Sequence, residues 1–104
     1  MQSPQTMERS LVAPETLGLE SRVEIRQAAF TLLEQMPEGA GRLVIDFART
    51  RHVDSAGLGA LMLIHRRAAE RRQLVTLRNV SDELRFLLVL TKLAELFDVE
   101  PSVE

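Results

Sequence analysis

The chain contains no cysteine, which excludes a disulfide scaffold and any thiolate-held metal or redox centre and fits a reducing compartment. Tryptophan and tyrosine are absent too; the aromatics are four phenylalanines, too few to stack nucleic-acid bases. A net charge of −2 provides no basic footprint, so no nucleic-acid partner is expected. No apolar run approaches the roughly 20 residues that cross a bilayer. The start, Met1-Gln2-Ser3-Pro4-Gln5-Thr6, has neither the basic opening nor the apolar centre of a signal peptide. A soluble, cytoplasmic protein that is not membrane-embedded is therefore expected. What is left is 104 residues, 45% hydrophobic and 27% charged. That is globular composition, enough for one core without a cofactor or metal.

Residues 1–8 read as a flexible N-terminal tail, polar and without period, and 9–104 as a single domain. Arg9–Ala13 is predicted as a short strand stopped at Pro14, with 15–18 a turn or a second short extended piece. Ser21-Arg22-Val23-Glu24 matches a capping box. Ile25, Ala28, Ala29, Leu32 and Met36 then recur at helical spacing as one buried stripe, ended by Pro37. Arg42–Phe47 is an apolar strand without alternation, so both its faces should be covered. Asp46 interrupts it, and its carboxylate is expected to tie down the loop that follows, 48–53.

Asp54 or Ser55 is the predicted cap of a second helix, whose stripe is Leu58, Leu61, Met62, His65 and Ala68/Ala69, with Ile64 beside it. Leu74–Val80 is a second good strand. Ser81 caps a third helix, with Asp82 and Glu83 where the helix dipole favours acids. Its buried stripe is Leu84, Leu87, Leu88 and Thr91, widened by Leu90 and Leu93. Leu96–Glu100 makes a last edge strand before Pro101. Helices alternating with strands argue an α/β layer with parallel neighbours and right-handed crossovers; an uncovered edge leaves room for a homodimer.

The chain is organised around Asp54-Ser55-Ala56-Gly57-Leu58-Gly59, where an apolar strand hands over to a helix start. Ala56, Gly57, Gly59 and Ala60 are all small. Each glycine costs a helix about 1 kcal/mol relative to alanine, so close packing against the sheet, or a partner that comes near, is expected. This stretch in its strand–loop–helix setting resembles the signature of STAS domains, most closely that of anti-sigma factor antagonists. The resemblance implies an α/β, STAS-like fold with a mixed sheet of about four strands and three to four helices. It implies that Ser55, the one hydroxyl in the signature, is the phosphoacceptor. Asp54, Ala56, Gly57, Leu58 and Gly59, with His52, would form the phosphosite loop and partner surface. The implied partners are an anti-sigma factor that is also a serine kinase, and a phosphatase; the chain itself would be no enzyme. The alternative within the same fold is a non-switching subunit of a phospholipid-transport ATPase or of a larger signalling assembly. The chain departs from the family pattern at three places. Pro14-Glu15-Thr16-Leu17 stands where Gly-Glu-(Leu/Ile)-Asp is usual, Arg71-Arg72-Gln73 replaces glycines, and Thr91-Lys92-Leu93 replaces Thr/Ser-Gly-Leu.

Other chemistries fit the residues less well. Ser55-Ala56-Gly57 is half of a nucleophile elbow, but Val53 occupies the place of the preceding glycine. His65 lies in an apolar stripe, where a packed ring is expected rather than a general base. Gly57-Leu58-Gly59 lacks the third glycine of a dinucleotide fingerprint and the lysine of a phosphate loop. Arg66, Arg67, Arg71 and Arg72 read as a solvated face, or as a contact patch for an acidic protein.

Overall fold

Four strands hydrogen-bond in the order β1-β3-β5-β6, where β1 is Met7–Val12, β3 Gly41–Asp46, β5 Leu74–Arg78 and β6 Asp98–Val99. The computed structural model describes residues 7–101. Two further short strands, β2 (Thr16–Leu17) and β4 (His52–Val53), pair with each other in a separate small sheet. Among the described residues every pairing is parallel, so the α/β architecture is as expected while the sheet is parallel rather than mixed. The helices α1 (Arg22–Glu34), α2 (Ser55–Glu70) and α3 (Asp82–Leu90) are the crossovers that such pairing requires, and a 3-10 turn, Leu93–Glu95, precedes β6.

The core follows from the strand period. Leu11, Leu43, Ile45, Val75 and Leu77 take alternate positions and are matched across the register, Leu11 with Ile45, Leu43 with Val75, Ile45 with Leu77. They join one cluster with Ile25, Ala29 and Leu33 of α1, Ala60, Leu61, Ile64 and Ala68 of α2, and Leu84 and Leu88 of α3. The helices thus pack on one face of the sheet. The other face carries ion pairs. Arg42 donates to Thr76 Oγ1 at 2.7 Å and to Asp98 Oδ2 at 3.0 Å, and Arg78 makes a two-pronged pair with Glu100 at 2.9 and 3.0 Å. Val44 is buried on this second face, between Ser10 and Thr76 in the register, without joining the helix-side core. Both faces of β3 are therefore covered at its centre, as expected, the second beside polar side chains rather than under a second layer of helices.

Several element-level expectations are corrected. β1 begins at Met7, so Met7 and Glu8, expected in the tail, belong to the sheet; residues 1–6 of that tail lie outside the described residues. The loop expected over 48–53 ends in β4. Ser21 makes no side-chain cap bond to α1. Its hydroxyl instead donates to Thr16 O at 2.7 Å and accepts the Gly18 N–H at 3.0 Å, which clamps the β2–α1 turn. In α1 the buried residues are Ile25, Ala29 and Leu33, with Leu32 only partly buried. The α2 stripe is rotated: Gly57, Ala60, Leu61, Ile64 and Ala68 face the core while Met62 is 44% exposed. In α3, Leu90 is 66% exposed and Thr91 lies past the helix end, its hydroxyl turned back to Leu87 O at 2.7 Å. Asp46 does tie down its loop, accepting from the Ala48 N–H at 2.9 Å and Asn79 Nδ2 at 3.0 Å. Those two hydrogen bonds, Asn79 first, hold its carboxyl below the usual carboxylate range.

Candidate functional site

The β3–α2 connection settles which of two residues caps the helix. Asp54 has extended backbone geometry and its Oδ1 accepts the Gly57 N–H at 3.0 Å, so Asp54 is the cap and Ser55 the first helical residue. Asp54 Oδ2 also accepts the Leu19 N–H at 3.4 Å. The Gly57 N–H foremost, with the backbone N–H groups of Leu19 and Ala56 and the nearby Arg22 guanidinium, holds the Asp54 carboxyl below its ordinary value. Its charge therefore does structural work, stitching the start of α2 to the segment before α1. Ser55 is exposed, and its hydroxyl makes no hydrogen bond among the described residues.

The glycines of the signature have different surroundings. β2 crosses directly over the first turn of α2: a Cβ on Gly57 would lie 2.1 Å from Leu17 O. Gly18 is packed in the same way, since a Cβ there would lie 2.5 Å from Asp54 Oδ2. A Cβ on Gly59 would meet nothing within 4 Å. Ala56 and Leu58 are half-buried and Gly59 is exposed, so the first turns of α2 present a low, small-residue surface beside Ser55.

His52 is exposed on β4. Its N–H and that of Arg51 both donate to Glu15 O, at 3.2 and 2.8 Å. The pairing of β4 with β2 brings Thr16 opposite His52 and Leu17 opposite Val53. Leu17, which stands where the resemblance implies an acid, is fully buried against Gly57. Acids reach the neighbourhood by another route: Glu20 and Glu24 line, with Thr16, Leu19, Ser21 and Asp54, a depression of ≈ 530 Å³. Sequence patterning missed these two because the expected capping box assigned Glu24 to the helix start. His65 packs edge-on to Phe97, ring centroids 5.5 Å apart. Of the arginines, Arg67 is held by Glu34 and Glu70 at 3.6 and 3.9 Å and lies over the Phe30 ring. Arg71 donates to Met36 O at 2.8 Å. Neither is a free cation. No group of acids and histidines suited to a metal ion occurs among the described residues, and no helix there is long and apolar enough to cross a membrane.

A family model described as "Mlab, STAS domain" matches residues 9–98. No curated protein sequence matches the chain. Among solved structures, it is similar to tm1081 of Thermotoga maritima, provisionally assigned as an anti-sigma factor antagonist. The TM-score is 0.74 at 16% identity, over 90% of this chain and 80% of that one. It is similar to the anti-sigma factor antagonist SpoIIAA in its unphosphorylated form, with TM-score 0.68, 18% identity, and 98% and 86% of the two chains covered. It is also similar to a sulfate transporter family protein from Wolinella succinogenes, with TM-score 0.62, 18% identity, and 89% and 76% covered. At these identities the structures share the fold.

Proposed function

The chain belongs to the STAS-domain family, and on that premise we propose that it is an anti-sigma factor antagonist that docks a serine-kinase anti-sigma factor in the cytoplasm and releases it when Ser55 is phosphorylated. It is a binding domain that is modified, not a catalyst; its partners are the kinase and a phosphatase that resets it. The observation that supports this reading is the division of labour at the start of α2. Asp54 caps the helix, and Ser55 is left exposed beside a surface of small residues.

The physics of the switch is local. A phosphate adds about −1.5 to −2 charges and three acceptor oxygens. The free N–H groups of a helix start tolerate an anion, so the fold of the modified chain survives. A docked partner fares worse: one like-charge contact at about 4 Å and an effective dielectric near 20 costs about 4 kcal/mol. Half of that still removes more than tenfold in affinity, since about 1.4 kcal/mol is tenfold. Asp54, Glu20 and Glu24 around the same depression add to the negative field. The decisive experiment is a pull-down from native lysate with the wild type, Ser55→Ala and Ser55→Asp. A histidine-kinase-like ATPase is expected to be retained by the first two and lost by the third.

Leu17 in place of the usual acid, wedged against Gly57, favours a second reading: a non-switching STAS subunit of a transport ATPase or a larger assembly. Retention of a transporter ATPase equally by all three proteins would establish that reading and remove Ser55 from the mechanism.

A further inference from the structure

Gly57 has a reason inside the chain, the Leu17 backbone that crosses it. Gly59 has none. Its φ is not positive, and a Cβ there would meet nothing within 4 Å; glycine in a helix interior is disfavoured relative to alanine. The space it keeps open is the floor of a groove between α1 and α2. Val23 and the flanking Arg22 and Arg26 form one wall, and Ala56, Ala60 and Leu63 the other, around ≈ 360 Å³. Leu63 also borders the adjoining depression with Phe30 and Arg66, so the trough runs from Ala56 to Arg66, about 15 Å at roughly 1.5 Å per residue. That is close to three helical turns. Val23 and Leu63 are exposed large apolar side chains on this face.

The rim has a sign. Arg22, Arg26 and Arg66 have no ion pair or hydrogen bond among the described residues, unlike Arg67. Arg22 also helps keep Asp54 ionised. The acid on this stretch is Glu70, at the far end and engaged with Arg67. A trough between packed helices with apolar walls accepts a third helix through anchors at i, i+3/i+4 and i+7, and unpaired guanidinium groups on its rim select carboxylates. We infer that the α1–α2 groove is the seat of an acidic amphipathic helix of the partner protein, with Gly59 as the point of closest approach. This deepens the partner-binding reading above and rests on it.

The test places a photo-crosslinker, Leu63→p-benzoylphenylalanine, in the full chain. The protein is irradiated in native lysate and the attached segment is sequenced. The expected adduct is an acidic segment with apolar residues at helical spacing, and Arg22→Glu with Arg26→Glu in the same background lowers its yield at least tenfold. The same crosslinker at Leu74, outside the groove, does not capture that segment. Gly59→Gln, whose Cβ would meet nothing within 4 Å, keeps or raises the melting temperature, since glycine is the poorer helix former, and lowers the yield tenfold. A basic or non-helical segment, a segment of a second copy of this chain, no adduct, or a yield indifferent to charge reversal overturns the inference. An adduct lost on charge reversal but kept in Ser55→Asp retains the groove and removes the switch; the converse retains the switch and removes the groove.

Discussion

Two serines stand at the same end of the sheet, each where a parallel strand passes into a helix, and they are used in opposite ways. Ser81 is the cap of α3: its Oγ accepts the Leu84 N–H at 3.1 Å, and Asp82 and Glu83 follow it in the first turn. At α2 the cap is moved one residue upstream to Asp54, and no acid follows in the first turn. The hydroxyl of Ser55 is thereby freed, and the residues behind it are Ala56 and Gly57. A phosphate on Ser81 would remove a cap and sit beside two carboxylates. A phosphate on Ser55 would do neither, although Asp54 lies next to it. What makes one serine a candidate switch and the other a structural part is a one-residue shift in capping, held in place by a small extra sheet. β2 and β4 exist at the α2 junction and have no counterpart at the α3 junction among the described residues.

The largest effect should come from breaking that extra sheet's grip. Gly57→Ala puts a methyl group into the Leu17 backbone, which cannot swing aside as a side-chain tip would. Overpacking of this kind costs about 3 kcal/mol. Gly59→Ala is the matched control, with open space above it, and should stabilise by up to about 1 kcal/mol through helix propensity. Urea denaturation of the pair measures both. Equal effects at 57 and 59 would mean that β2 does not organise the junction.

Next comes the cap itself. Asp54 has its pKa lowered from 3.8, chiefly by the Gly57 N–H. A carboxyl depressed in the folded state lets the unfolded chain bind more protons as pH falls. The stability it contributes is therefore full above pH 3.8 and is lost as pH drops through the folded value. Asp54→Asn keeps a capping oxygen and removes the charge. The wild type should be more stable than this variant at pH 7, and the gap should close in acid below pH 3.8. Thermal melts across pH 2–7 read it, and a gap that is constant with pH would refute a charged cap.

Much of this was legible in the sequence for reasons that can be named. The β3, α2 and β5 elements announced themselves because Leu43–Phe47 and Leu74–Leu77 are apolar runs and a capping acid with small residues separates them. Ser55 and Asp54 could be singled out, but which of them capped could not, since both residue types cap helices equally well. The face of α2 was misjudged because Met62 fits the apolar period and only packing decides that Ala60, not Met62, turns inward. β2 and β4 are two residues each, too short for any period to reveal: β2 falls in 15–18, which the sequence left open between a turn and a short extended piece, and β4 in a stretch that reads as loop. The capping box at Ser21 failed because a nearer partner, Thr16 O at 2.7 Å, took the hydroxyl. Arg72, in the stretch Arg71-Arg72-Gln73 where the resemblance implies glycines, and Lys92, where it implies one, both adopt positive φ, 55° and 65°. The backbone kept the turn and accepted the strain that glycine would have relieved.

The smallest expected effects bear most directly on the two serines. Ser81→Ala removes a hydrogen-bonded cap and should cost about 1 kcal/mol. Ser55→Ala removes an exposed hydroxyl without a partner and should stay within about 0.5 kcal/mol of the wild type. The double variant should show the sum, since distinct helix caps with no shared partner behave independently. If Ser55→Ala proved as costly as Ser81→Ala, its hydroxyl would be engaged in holding the helix start. A kinase would then have to break that bond to reach it, and the contrast between a spare serine and a working one would collapse. If the cost is negligible while the same substitution abolishes incorporation of phosphate, then Ser55 has no structural role to explain its presence, and its modification does.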